Sequence, residues 1–136
     1  MTDYAHAKDK WAWGPEFSVD EFTCKGSGQC FMQPTFMDKL LLLRRRSKVK
    51  FVVTSGFRCP DYNNVVSRTG ANGPHTTGCA VDIAVSRFEA FQILSMAFAS
   101  GMTGIGLKQH GEGRFIHLDD LPALPTRPRP TVWSYP

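Results

Sequence analysis

An ionisable side chain in the middle of an apolar strand constrains this sequence more than any other feature. Ala80-Val81-Asp82-Ile83-Ala84-Val85 alternates, with Val81, Ile83 and Val85 on one face and Ala80, Asp82 and Ala84 on the other. A carboxylate buried in such a strand is costly unless it is paired or bound to a cation, so the fold must bring a partner to Asp82. His75, seven residues earlier, is the nearest candidate. A second alternating segment, Phe115-Ile116-His117-Leu118-Asp119, puts Phe115, His117 and Asp119 on one face. Two imidazoles and one carboxylate leave a fourth tetrahedral position free for water, the usual arrangement at a catalytic zinc. The candidate ligand set is therefore His75, Asp82 and His117, holding one Zn2+. The competing reading is that two of the four histidines merely lie near strands. Alignment of all three residues favours the metal.

The remaining elements follow from periodicity and capping. Ser18-Val19-Asp20-Glu21 has the form of a capping box and starts a short helical turn that packs Phe22. Phe36, Met37, Leu40, Leu41 and Leu43 recur at helical spacing after Pro34 and end in Arg44-Arg45-Arg46, which describes an amphipathic helix of roughly three turns. Phe51 to Thr54 reads as a buried strand leading to Arg58. Residues 59–74 read as a long loop, with a short helical turn from Asn63 to Val66. Ser86-Arg87-Phe88-Glu89 is a second capping-box pattern, and Phe88, Phe91, Leu94 and Phe98 are expected to form the core face of the next helix, which stops at Gly101. Thr103 to Leu107 is a further strand, joined to the His117 strand by the glycine-rich segment 108–113. Prolines from Leu121 onward exclude a regular helix, so the end of the chain is expected to be an extended tail held by Trp133 and Tyr135. These elements define an α+β fold: one small domain over 1–136, a mainly antiparallel sheet flanked by helices, and the metal site on the sheet face. Residues 1–15 and 121–136 are its extended terminal segments.

A chain of 136 residues, 42% hydrophobic and 21% charged, is large enough for a real core and too apolar for disorder. The net charge of +4 suits an anionic bacterial wall as well as a nucleic acid, but no nucleic-acid motif accompanies it. The expected state is a monomer without a nucleic-acid partner. The longest aliphatic run, Leu40 to Leu43, is far too short to span a bilayer, so no transmembrane segment is expected. The first residues, MTDYAHAKDKWAWGP, lack the apolar region of a signal peptide, so synthesis in a host cytoplasm is expected. Cys24, Cys30, Cys59 and Cys79 are then free thiols by default, and Cys79 is a small packing residue rather than a nucleophile. Cys24 and Cys30 bracket a loop that suits either a disulfide or half of a structural zinc site, and neither is favoured.

The segments SGFR (Ser55 to Arg58), GPHTTGCAVD (Gly73 to Asp82) and FIHLDD (from Phe115) together resemble the zinc murein peptidases. These include D-Ala-D-Ala carboxypeptidases and dipeptidases and phage L-alanyl-D-glutamate endopeptidases. Phe17 to Phe22 and the closing RPRPTVWSY resemble the smaller, phage-rich branch, so the likeness covers most of the chain. Gly73 stands where the family pattern has serine. The resemblance implies a zinc-dependent peptidase acting on the peptide stems of bacterial peptidoglycan, as an endopeptidase or a D-Ala-D-Ala-type carboxypeptidase. A phage endolysin that reaches the wall after membrane permeabilisation, or in a delivered particle, fits that activity. The resemblance also implies that Arg58 holds the substrate carbonyl. Asp119 is placed to orient His117. Where several members of the family carry an acidic general base, three residues before the last histidine, this chain has Arg114. Glu112 is the first candidate to replace that base and His110 the second. Reaching the metal from Glu112 requires a bend near Gly113. The alternative function is a non-catalytic, zinc-containing wall-binding or structural module of the same fold, which the arginine at the base position supports.

Overall fold

In the computed structural model, which describes residues 1–136, the alternating segments become a five-stranded sheet. The elements in chain order are α1 (Val19–Phe22), α2 (Pro34–Ser47), β1 (Val52–Ser55), α3 (Pro60–Val66), β2 (Ala80–Ala84), α4 (Arg87–Ala97), β3 (Gly104–Lys108), β4 (Phe115–Asp119) and β5 (Thr131–Ser134). The strand order is β1-β2-β4-β3-β5, antiparallel throughout except that β5 runs parallel to β3. The fold is α+β with a mainly antiparallel sheet.

Alternation along the strands separates the two faces. Val81, Ile83, Ile105, Ile116 and Leu118 join one buried cluster with Phe36, Leu40 and Leu43 of α2 and Ala90, Ile93 and Ala97 of α4. The opposite face carries Asp82 and His117. At the amino-terminal end Tyr4, Trp11 and Trp13 meet edge to face, and the Trp13 indole N–H donates to Asp38 Oδ1 at 2.9 Å, so the first fifteen residues are folded onto the core. Helix α1 has its capping box, with the Ser18 backbone N–H donating to Glu21 Oε2 at 2.7 Å.

Several elements differ from the sequence reading. Strand β1 is an edge strand, so Phe51 is buried but Val52 is 51% exposed. Residues 59–74 are not a plain loop. Pro60 occupies the first turn of α3, and the Cys59 Sγ accepts the Tyr62 N–H at 3.4 Å to cap it. The aromatic face of α4 points outward: Phe88, Phe91 and Phe98 are 70%, 70% and 63% exposed. The helix packs through Ala90, Ile93 and Ala97 instead, because small residues allow close approach to α2. Ser86 makes no side-chain cap, since the chain enters α4 through Arg87 at a φ of 53°, outside ordinary helical geometry. The tail gains a strand, β5, that the prolines had hidden. All four cysteines are free, and burial pushes the Cys79 thiol up to about 11, which keeps it protonated and inert near neutrality. No helix is long and apolar enough to cross a membrane.

Candidate metal centre

One row of residues runs across the whole sheet. Ser55 pairs with Asp82, Asp82 with His117, His117 with Gly106, and Gly106 with Trp133. Side chains in register on adjacent strands lie close together, so the pairing of β2 with β4 alone brings Asp82 to His117. His75 arrives from a 3-10 turn, Pro74–Thr77, that precedes β2 and ends at Gly78 with a φ of 75°. A Cβ at Gly78 would lie 2.0 Å from the Phe31 carbonyl oxygen, so only glycine permits that approach.

The three residues converge on one atom. Asp82 Oδ1 lies 3.2 Å from His75 Nε2 and 3.1 Å from His117 Nδ1, and all three are buried. The other nitrogen of each ring is committed. His75 Nδ1 faces the Gly56 carbonyl at 2.8 Å, and a carbonyl can only accept, so Nδ1 carries the proton and Nε2 presents a lone pair. His117 Nε2 donates to Asp119 Oδ2 at 2.8 Å, leaving its Nδ1 lone pair facing Asp82. In the neutral rings, two nitrogen lone pairs therefore face a carboxylate oxygen, three donors turned toward one another. Their donor atoms all lie within 4.8 Å of one another. Bonds of about 2.0–2.2 Å to a tetrahedral zinc set donors roughly 3.3–3.6 Å apart, close to the Asp82–histidine spacings here. The donor set fits a metal ion.

Electrostatics agree with this arrangement. Burial pushes the Asp82 carboxyl up, but the charges and hydrogen bonds of His75 and His117 outweigh it and hold the group well below the usual carboxylate range. Burial pushes His117 down, and hydrogen bonds to Asp119 and Asp82 more than reverse it. Asp119 is held at about 2: burial raises it, while His117 and Arg129 lower it further.

Arg58 belongs to the same constellation. The β1 register shifts between Val53 and Ser55, a bulge that turns the chain so that the Gly56 carbonyl meets His75 and Arg58 faces Asp82. Its NH2 is 3.6 Å from Asp82 Oδ2 and its NH1 donates to Asn63 Oδ1 at 3.1 Å. Asn63, fully buried on α3, donates through Nδ2 to Thr69 Oγ1 at 3.0 Å and to the Gly70 carbonyl. This network explains Gly73. A Cβ there would lie 2.0 Å from Thr69 Oγ1 and 2.6 Å from Asn63 Nδ2, so the threonine hydroxyl fills the space in which a serine side chain would begin.

The residues considered as general base are not brought in. Gly111 and Gly113 both have positive φ, 63° and 65°, so the required bend exists, but it turns Glu112 into a separate groove of about 630 Å3 with Lys50, Arg87, Glu89 and Arg114. His110 is exposed, with Nε2 3.4 Å from the Tyr135 carbonyl, and is absent from the walls of the metal cleft. The cleft over the ligands is about 1000 Å3, and Asp82 is the only side-chain carboxylate lining it. Arg58, Arg68, Lys108, Arg127 and Arg129 are its cations.

Two residues of the tail were missed as site residues. Arg129 forks onto Asp119, and the Trp133 ring lies 5.2 Å from that of His117. The available signal was the pair Gly104 and Gly106 in an otherwise regular strand. A Cβ at Gly104 would strike the Asp119 carboxylate at 2.4 Å, and one at Gly106 would strike the Trp133 indole at 2.6 Å. Missing side chains on one face of a strand mark where other groups lie over it.

A buried His/Asp/His group at the floor of an open cleft, its tautomers fixed from behind, defines a metalloenzyme type of site on an α+β scaffold. The family model for Peptidase M15 matches residues 15–119, well over half of the chain, and the protein belongs to that family of zinc metallopeptidases. No curated protein and no solved structure matches the chain.

Proposed function

We propose that this protein is a zinc-dependent peptidase that hydrolyses amide bonds in the peptide stems of bacterial peptidoglycan, working as a monomeric phage endolysin. The observation that carries the zinc assignment is the meeting of the His75 and His117 lone pairs at one oxygen of Asp82, with each ring held in the required tautomer by Gly56 and Asp119. Zinc bound there would supply a Lewis acid that lowers the pKa of its water toward neutrality.

The chain's own groups do the rest. Asp119 holds the His117 proton at Nε2 and so keeps Nδ1 free to bind. Arg58, fixed by Asn63, faces the same spot and would bind the substrate carbonyl oxygen as it gains charge. The cations of the cleft suit a stem peptide bearing carboxylates. In that role the enzyme would be made in a host cytoplasm and reach the wall after membrane permeabilisation or in a delivered particle.

A second reading, a zinc-holding wall-binding module without turnover, draws support from one observation: no uncommitted carboxylate lines the cleft. Digestion of purified sacculi followed by mass spectrometry separates the two. New amino termini within stem peptides, lost on metal chelation, are expected. Zinc-loaded protein that binds sacculi of several wall chemistries without cutting them would establish the binding module and overturn the peptidase.

A further inference from the structure

On the side of the cleft away from Arg58 the cations are engaged by the protein itself: the Lys108 ammonium donates to the His110 and Glu112 carbonyls. Arg129 is consumed by Asp119, and Arg127 donates through Nε and NH2 to the Pro122 carbonyl at 3.3 and 3.0 Å. Ser67 and Thr69 hydrogen-bond each other at 2.8 Å on the Arg58 side. Tyr135 also lines the cleft on the β5 side, with Trp133 as the hydrogen-bonding neighbour of its phenol.

Its position follows from the sheet. Tyr135 continues β5 two residues beyond Trp133, with its backbone N–H donating to the Leu107 carbonyl at 2.9 Å. Its ring packs against Phe115 at 4.9 Å, the residue two before His117 on the same face of β4. The ring also leans back toward the ligand row: a Cβ built on Gly106, the register partner of His117, would lie 2.8 Å from Tyr135 Cε2. The missing side chain at 106 is what lets the phenol approach. Arg58 comes from the β1 edge of the sheet and Tyr135 from the β5 edge, with Asp82 and His117 on the two strands between β1 and β3. Burial is the largest influence on the phenol and pushes it up; the Trp133 hydrogen bond and the Arg58 charge act against it, the Asp82 charge acts with it, and the net direction is upward, so the hydroxyl keeps its proton.

We infer that Tyr135 is a catalytic residue whose neutral hydroxyl donates a hydrogen bond to the substrate carbonyl oxygen, opposite Arg58, as that oxygen becomes an oxyanion. The inference rests on the peptidase reading. In the reaction, a water oxygen bonds to the carbonyl carbon and the C=O π pair moves onto the carbonyl oxygen. The Tyr135 hydroxyl stabilises that charge without giving up its proton. The pair then returns as the C–N bond breaks, and the nitrogen leaves with a proton that came from the added water. No group of the protein changes its net protonation.

Tyr135→Phe removes one oxygen atom and keeps the ring packing on Phe115, so it isolates the hydroxyl. The expected result is unchanged zinc affinity and melting temperature, a KM within about two-fold of the parent, and a kcat lower by about 10²-fold, the scale for losing one oxyanion donor. Binding of a phosphinate stem-peptide analogue, followed by calorimetry, should weaken by a similar factor while binding of the cleaved product does not change. A variant with parent-like kcat and parent-like phosphinate affinity overturns the role of Tyr135. A loss of zinc affinity equal to the loss of kcat also overturns it, because the residue would then be supporting the ligands. If the parent protein itself releases no new amino termini from sacculi, the peptidase reading fails, and the catalytic role fails with it.

Discussion

Arg129 closes a fork on Asp119, Nε to Oδ1 at 2.9 Å and NH2 to Oδ2 at 2.8 Å, and the same carboxylate takes the His117 Nε2 proton. The guanidinium also lies over the Trp133 ring, 5.1 Å from its centroid. A residue from the tail thereby fixes the orientation of a candidate metal ligand, His117 on β4. Removing the fork by Arg129→Met leaves a fully buried carboxylate with one partner fewer, which costs about 3–5 kcal/mol. Zinc affinity, measured by competition with a chromophoric chelator, should fall 10–100-fold. Arg129→Lys keeps the charge but not the fork and should recover only part of the loss.

His75→Ala and His117→Ala each remove one of three donors, and metal analysis after dialysis should find both variants without bound zinc. Retention of zinc at parental affinity in both would dismiss the proposed ligand set.

Arg58 and Glu112 should behave in opposite ways. Arg58→Lys loses the planar group that spans Asn63 and Asp82, so turnover should fall by about 10²–10³-fold while zinc content stays the same. Glu112→Gln changes a side chain in a different groove and should leave turnover on stem peptides within about two-fold of the parent. A drop of two or more orders of magnitude in Glu112→Gln would mean that segment 109–113 swings over the metal during catalysis.

Gly73 and Thr69 form a testable pair. Gly73→Ser puts a Cβ into the Thr69 hydroxyl and the Asn63 amide, so it should lower both melting temperature and turnover, the latter through loss of the Asn63 hold on Arg58. Thr69→Ala added to Gly73→Ser opens that space, and the double variant should be more stable and more active than Gly73→Ser alone. A strictly additive double-mutant cycle would rule out the shared space.

The metal-free protein should lose stability in acid. Asp119 is held at about 2 in the folded state against an ordinary value of 3.8, and Asp82 is also lowered. A lowered folded value means that the unfolded state binds protons first. The stabilisation is complete above about pH 4 and disappears as pH falls from about 4 toward 2. For Asp119 alone it is on the order of 2 kcal/mol. Melting temperatures of metal-free protein and of Asp119→Asn across this range should converge as pH falls.

Asp82 and His117 were legible because alternation in two short strands is a local property, and an acid or imidazole on the face of such a strand demands a partner. Gly106 and Trp133 were not legible, because their place beside His117 depends on β5 running parallel to β3, a long-range pairing that the prolines of the tail conceal. The outward turn of Phe88, Phe91 and Phe98 had the same origin. Helical spacing predicts that a face exists, but here the small residues Ala90 and Ala97 decided which face meets α2. Glu112 was drawn toward the metal by loop glycines whose freedom was real and whose direction was not encoded locally.

The dependence of His117 on Arg129 also bears on synthesis. A nascent chain that has emerged as far as Asp119 already contains His75, Asp82 and His117 but has neither the guanidinium that steadies Asp119 nor the indole that covers the histidine. Its Asp119 would remain solvated and its His117 ring free to turn, so a chain ending there would hold the three candidate donors less firmly than one that includes Arg129. Competence therefore arrives late, with the segment from Arg129 to Tyr135. On the peptidase reading, products that stop short of Arg129 would lack this support for the site, and chains that include it would have it.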